Sequence, residues 1–187
     1  GGAIYGPCEQ IPTPETTACQ STSPYGVSKY SAEQYVRLYA RLHQLPYVIL
    51  RYSNVYGPGQ DGSKESGVIA IFSRLAAESK PLTIYGDGEN TRDFVFVEDV
   101  VAANLKALTS TASGIYNIGT GVETTINQLA AMVQHASGKK LDVQHLSARL
   151  GEELRSCLDN SLAQTELGWQ PQFSLLEGLK ATLAVQA

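Results

Sequence analysis

Apolar residues recur along this chain at two spacings, one helical and one strand-like. Over residues 24–43, Ala32, Tyr35, Val36, Tyr39 and Leu42 step by three and four, the stripe of an amphipathic helix. Ser23 is placed to cap that helix, and Pro24 suits its first position. Beyond Pro46, the run Tyr47-Val48-Ile49-Leu50-Arg51-Tyr52 is almost continuously apolar, as expected of a buried parallel strand. A helix leading into such a strand is half of a β-α-β unit.

The same alternation continues. Residues 67–79 predict a helix with Val68, Ile71, Phe72 and Leu75 on one face, and residues 81–85 a short strand before the glycine turn at 86–90. Residues 92–97 predict a strand, and residues 98–108 a helix whose first turn holds Glu98 and Asp99 against its positive end. Residues 114–119 read as a strand. Thr125 and Gln128 have capping-box spacing for a helix to about His135, and Ser174 with Glu177 repeats it before the last helix. A strand at 141–145 and a short helix near 160–167 complete the pattern. At the start, Ala3-Ile4-Tyr5 predicts the end of a buried strand, and Pro7, Pro12 and Pro14 keep the segment up to Ser23 irregular. The expected fold class is α/β.

Two motifs carry possible chemistry. Tyr25 and Lys29 are one helical turn apart, so both can face one pocket. A phenol titrates near about 10 in water; a neighbouring ammonium and a helix N-terminus favour its anion. Such a tyrosine could exchange a proton with a hydroxyl or ketone. The second motif, Gly57-x-Gly59-x-x-Gly62, imitates a dinucleotide fingerprint. That fingerprint needs a helix opening at its last glycines. Here Asp61, Lys64, Glu65 and Ser66 intervene and Pro58 removes an N–H, so it reads as a plain glycine-rich loop.

Composition removes several classes of function. The 187 residues carry a net charge of −4, which gives no electrostatic footprint for nucleic acid and no basic patch for a membrane surface. No apolar run nears the roughly 20 residues that span a bilayer. Cys8, Cys19 and Cys157 form no C-x-x-C or disulfide framework, which favours a reducing, cytoplasmic setting. His43, His135 and His145 make no ligand motif, so no metal is expected.

Taken in order, a set of segments resembles the C-terminal part of the NAD-dependent nucleotide-sugar epimerases and dehydratases, extended short-chain dehydrogenase/reductases that include the UDP-glucose 4-epimerases. They are Gly1-Gly2-Ala3-Ile4-Tyr5-Gly6, Ser23-Pro24-Tyr25 to Lys29, Leu50-Arg51-Tyr52-Ser53-Asn54-Val55-Tyr56-Gly57-Pro58, Gly67-Val68-Ile69-Ala70-Ile71-Phe72, Ile84-Tyr85-Gly86-Asp87-Gly88, Thr91-Arg92-Asp93-Phe94-Val95, Asn117-Ile118-Gly119-Thr120-Gly121 and Leu167-Gly168-Trp169-Gln170-Pro171. The resemblance implies the C-terminal half of a Rossmann-like parallel sheet in residues 1–66, rejoined by 91–110, and a nucleotide-sugar lobe in 67–90 and 111–187. It implies Tyr25 as acid/base, with Lys29 tuning it, and Tyr25, Lys29, Tyr52 and Ser53 against NAD. Asn54, Val68, Thr83, Tyr85, Arg92, Arg149 and Glu152 are implied as contacts to a UDP-sugar. Guanidinium groups suit diphosphate because their paired donors match its oxygens. Family members often pair through the helix at 24–43, so a homodimer is expected.

The chain also departs from the family pattern. The glycine fingerprint and the acid for the adenosine ribose are not in it, so it reads as part of a longer enzyme, with little or no turnover alone. The family's Ser or Thr four positions before Tyr5 falls on Gly1. A 4,6-dehydratase would want Thr-Asp-Glu where Gly1, Gly2 and Ala3 stand, which favours C4 epimerisation. A dehydratase or reductase on the same scaffold, and a non-catalytic sugar-nucleotide-binding lobe, are the competing readings.

Overall fold

The structure is a computed structural model that describes residues 2–63, 66–149, 151 and 154–185. After a 3-10 turn at Gly2–Ile4 the chain enters α1 (Pro24–His43) and then β1 (Val48–Tyr52), β2 (Asn54–Tyr56), α2 (Val68–Ala77) and β3 (Leu82–Tyr85). β4 (Thr91–Arg92), β5 (Phe94–Phe96), α3 (Val97–Thr109) and β6 (Gly114–Ile118) come next. β7 (Thr124–Thr125), α4 (Ile126–Ser137), β8 (Val143–Leu146), β9 (Arg155–Ser156), α5 (Ser161–Glu166) and α6 (Leu175–Ala184) complete the chain.

The caps expected from sequence are present. Ser23 Oγ accepts from Gly26 N at 3.1 Å, Pro24 opens α1, and the Thr125/Gln128 and Ser174/Glu177 boxes are both closed. β1 pairs with β6, β2 with β5 and β3 with β8, all parallel. The α/β class is therefore as expected.

Ser53 is the switch point. Its N–H donates to Ile118 O at 2.8 Å, whereas the next N–H, of Asn54, donates to Asp93 O at 2.9 Å. One extended stretch thus leaves β6 for β5 within a single residue. Asp93 breaks the opposite stretch into β4 and β5, where the sequence predicts one strand over 92–97. Its buried carboxylate accepts from Thr120 N at 2.8 Å, Thr120 Oγ1 at 2.6 Å, and the N–H groups of Gly121 and Leu158. Burial pushes its pKa up against those donors.

Strand β5 divides the interior because its side chains alternate between faces. Phe94 and Phe96 join a core with Phe72, Leu82, Leu129 and Leu179, while Val95 joins a second with Tyr116, Ile118 and Trp169. Trp169 is closed in by a bond from its Nε1 to Asp99 O at 2.9 Å.

Other parts of the chain also differ from expectation. Ala3-Ile4-Tyr5 is not strand: Ile4 and Tyr5 are buried, but Tyr5 N bonds Gly2 O at 3.0 Å in a tight turn, and no described strand pairs with it. Asn54–Tyr56, assigned to no element from the sequence, is strand β2, and as expected no helix opens at Gly57, Gly59 or Gly62. The apolar stripe of α1 is largely exposed, Tyr35 at 67% and Leu42 at 63%. The helix docks instead on Gly26, Glu33 and Ala40, with Gly26 against Ala3 of the 3-10 turn and Glu33 paired with Arg51 on β1.

Candidate functional site

Several hollows mark the surface of the described residues. One, about 540 Å³, is lined by Asn54 from the switch point, Val68 from the first turn of α2, Thr83 and Tyr85 from β3, Arg92 from β4 and Arg149 from the segment after β8. These six expected contact residues come from distant segments and meet at one cavity. A groove of about 310 Å³ holds Tyr25, Lys29, Glu33, Arg51 and Tyr52. Another, about 760 Å³, lies between the C-terminal half of α1 and Tyr47 and contains none of the expected site residues.

The cavity is cationic. Arg149 lies over the Tyr85 ring, 3.7 Å from its centroid. Arg92 Nη1 donates to Thr91 O at 2.7 Å. Among the described residues neither guanidinium is in an ion pair, since the four pairs present involve Arg51, Arg74, Lys80 and Arg155. Two uncompensated guanidiniums beside an aromatic face and apolar Val68 and Ile71 suit an anion joined to a flat ring. Glu152, expected to hold ribose hydroxyls, lies outside the described residues, as does Gly1.

In the groove, the side chains of Tyr25 and Lys29 stand together: Lys29 Nζ is 5.3 Å from the Tyr25 ring centroid, and Tyr25 is 60% exposed. Tyr52 lines the groove, but its hydroxyl donates to Asn104 Oδ1 at 3.0 Å. Ser53 Oγ is buried and has no hydrogen-bond partner among the described residues. An orphan hydroxyl at the end of β1, where open α/β sheets bind ligands, is a polar group left for a bound molecule. Tyr25, Lys29 and Tyr52 line this groove, whereas Ser53 follows at the strand end outside its lining.

A polar network under the groove escaped the sequence reading. Glu33 accepts from Arg51 twice, Nε at 2.9 Å and Nη2 at 2.6 Å. Arg51 Nη1 donates to Tyr5 Oη at 2.7 Å, which donates to Asn117 Oδ1 at 2.8 Å. Burial opposes the Arg51 charge, yet Glu33 and Tyr5 hold it above the ordinary guanidinium value. Burial pushes the Tyr5 phenol up to about 12, despite Arg51. The signal was present: an arginine inside an apolar strand needs a buried acid, and Glu33 is one turn beyond Lys29.

A family model described as the NAD dependent epimerase/dehydratase family matches residues 1–119. A putative UDP-glucose 4-epimerase of Methanocaldococcus jannaschii is 46% identical over 180 residues, covering 96% of this chain and 58% of that protein. The crystal structure of a UDP-glucose 4-epimerase from Thermotoga maritima with UDP-glucose superimposes with a TM-score of 0.95 at 45% identity, over 99% of this chain and 60% of that one. The Thermus thermophilus UDP-glucose 4-epimerase complex with NAD matches with a TM-score of 0.90 at 39% identity, over 99% and 61%. The chain spans about three fifths of the length of these relatives.

Proposed function

The chain belongs to the NAD dependent epimerase/dehydratase family, and on that premise we propose that it is the sugar-nucleotide end of a longer enzyme that inverts C4 of a UDP-hexose, interconverting UDP-glucose and UDP-galactose through a 4-keto intermediate. One observation carries the reading: Asn54, Val68, Thr83, Tyr85, Arg92 and Arg149 line a single cavity, next to a strand end that separates it from the Tyr25 groove.

The chemistry divides accordingly. Arg92 and Arg149 hold the diphosphate, Asn54 contacts it from the switch point, and Tyr85 with Thr83 lies along the base. Glu152 is assigned the nucleotide ribose. With the nucleotide anchored, the sugar is free to present either face, as inversion requires. Tyr25 removes the proton from the 4-hydroxyl and later returns it, with Lys29 keeping a positive charge beside the ring. Tyr25, Lys29, Tyr52 and Ser53 would hold NAD, which when bound supplies the hydride acceptor and donor.

Residues 1–66 with 91–110 act as the cofactor-side body, and 67–90 with 111–187 as the sugar-nucleotide lobe. The exposed Tyr35, Tyr39 and Leu42 on α1 favour a homodimer through that helix. No described helix is long and apolar enough to cross a membrane; the cysteines, which form no disulfide framework, favour a cytoplasmic enzyme. Calorimetric titration of UDP into the chain tests the central assignment. UDP should bind, and Arg92→Ala should weaken it by about 1.5–3 kcal/mol, the worth of hydrogen bonds to a charged group; unchanged affinity would remove the diphosphate from this cavity.

A further inference from the structure

Helix α1 runs for 20 residues, and its buried positions are Gly26, Glu33 and Ala40. They recur every seven residues and so lie along one line of the helix. At Gly26 the backbones nearly touch: an added Cβ would lie 2.3 Å from Ala3 O. Ala40 is small and offers only van der Waals contact. Among the described residues, Glu33 is the one side chain of α1 that hydrogen-bonds beyond the helix and its own caps.

Its partner is held from behind. The Arg51 guanidinium lies 4.8 Å from the Tyr5 ring centroid and donates to the Tyr5 hydroxyl, which in turn bonds Asn117 on β6. Asn117 Nδ2 donates to Thr13 O at 2.9 Å. The fork that meets Glu33 is thereby fixed by β1, β6 and the N-terminal turn together.

We propose that the Glu33–Arg51 pair is a positioning device that sets the rotation of α1 on β1 and so aims Tyr25 at the sugar 4-hydroxyl. This rests on Tyr25 being the proton-transfer group of the proposed function. Buried ion pairs add little net stability, because desolvation offsets their attraction. What a bidentate guanidinium–carboxylate contact supplies is one geometry. Tyr25, Lys29 and Glu33 are spaced one turn apart and line the same groove as Arg51 and Tyr52. A rotation of roughly 10° moves the helix surface, about 5 Å from the axis, by about 1 Å. A misplacement of that size costs a transfer step about a hundredfold.

The experiment uses the full-length protein containing this chain. Glu33→Gln removes the charge and Arg51→Lys removes the fork. Each should keep UDP affinity and KM within about twofold and lose about tenfold to a hundredfold in kcat. The double variant should lose no more than the worse single one, because both act through one contact. Tyr5→Phe, which removes only the brace, should fold and lose a few-fold in kcat. Wild-type kcat in a folded variant, a kcat loss matched by lost UDP affinity, or additive losses would overturn the proposal. Failure of all three to fold would also overturn it, by making the pair a stability element. Near-full activity of Tyr25→Phe would instead overturn the proposed function.

Discussion

The guanidinium of Arg149 sits 3.7 Å from the centre of the Tyr85 ring, and both residues line the cavity assigned to the nucleotide. A cation at this distance is attracted by the ring's quadrupole, so the pair is preorganised before a ligand arrives. Under the proposed function, Arg149 supplies charge for phosphate and the Tyr85 ring an aromatic surface for a base.

Replacing that surface should cost affinity. Tyr85→Leu should weaken UDP binding by about 1–3 kcal/mol, the range for lost base–aromatic stacking, while Tyr85→Phe should lose little. Calorimetry on the two variants checks this, and equal losses would mean that the hydroxyl matters rather than the ring.

Tyr25 should be separable from nucleotide binding. In the full-length protein Tyr25→Phe should abolish epimerisation and leave UDP affinity within about twofold, since a general acid/base contributes about 10²–10⁴ to rate. Turnover assays beside UDP titration distinguish this from a structural role.

Gly26 is predicted to be intolerant for a steric reason. An added methyl group would meet the Ala3 carbonyl oxygen at 2.3 Å and Ser21 Cβ at 3.1 Å. Neither atom can rotate away, so Gly26→Ala should destabilise by roughly 1–3 kcal/mol. Thermal or urea unfolding of this chain measures it, and wild-type stability would show that the N-terminal turn yields.

The three-stranded sheet of β7, β4 and β9 should show an acid limb. Glu123 accepts from Thr91 Oγ1 and pairs with Arg155 at 2.5 Å. Arg155 holds the Glu123 carboxyl below its usual value, despite some burial. A depressed carboxylate contributes stability that is present above the unfolded value near ~4.3 and lost as pH falls through the folded value. The Tm difference between wild type and Glu123→Gln should be at most about 4 °C near neutrality, as for a partly exposed pair. It should shrink as pH falls below the unfolded value and vanish once Glu123 is protonated in the folded chain too. A difference that grows in acid would reverse the sign.

Much of the fold is local chemistry and was legible. The Ser23 cap, the two capping boxes and a parallel strand at 48–52 follow from residue types at fixed short spacings, although that strand is only half-buried apart from Arg51. The Gly57-Gly59-Gly62 decoy is recognisable on the same local grounds, and two of its glycines prove to serve packing: a Cβ at Gly57 would strike Val97, and one at Gly62 would strike Ala70 O. Short strands were missed because their stabilisation is not local. β7 and β9 have two residues each and exist only through their register with β4.

By itself the sequence determined the helices, their caps, the α/β class and the one-turn spacing of Tyr25 and Lys29, because backbone hydrogen bonding and side-chain period act over a few residues. Only the tertiary structure decided that Glu33 meets Arg51, that Arg149 covers Tyr85, and that α1 turns its aromatic stripe outward. Those contacts join positions up to 64 residues apart. Whether a face is buried depends on what stands opposite it, and chain periodicity carries no record of that neighbour.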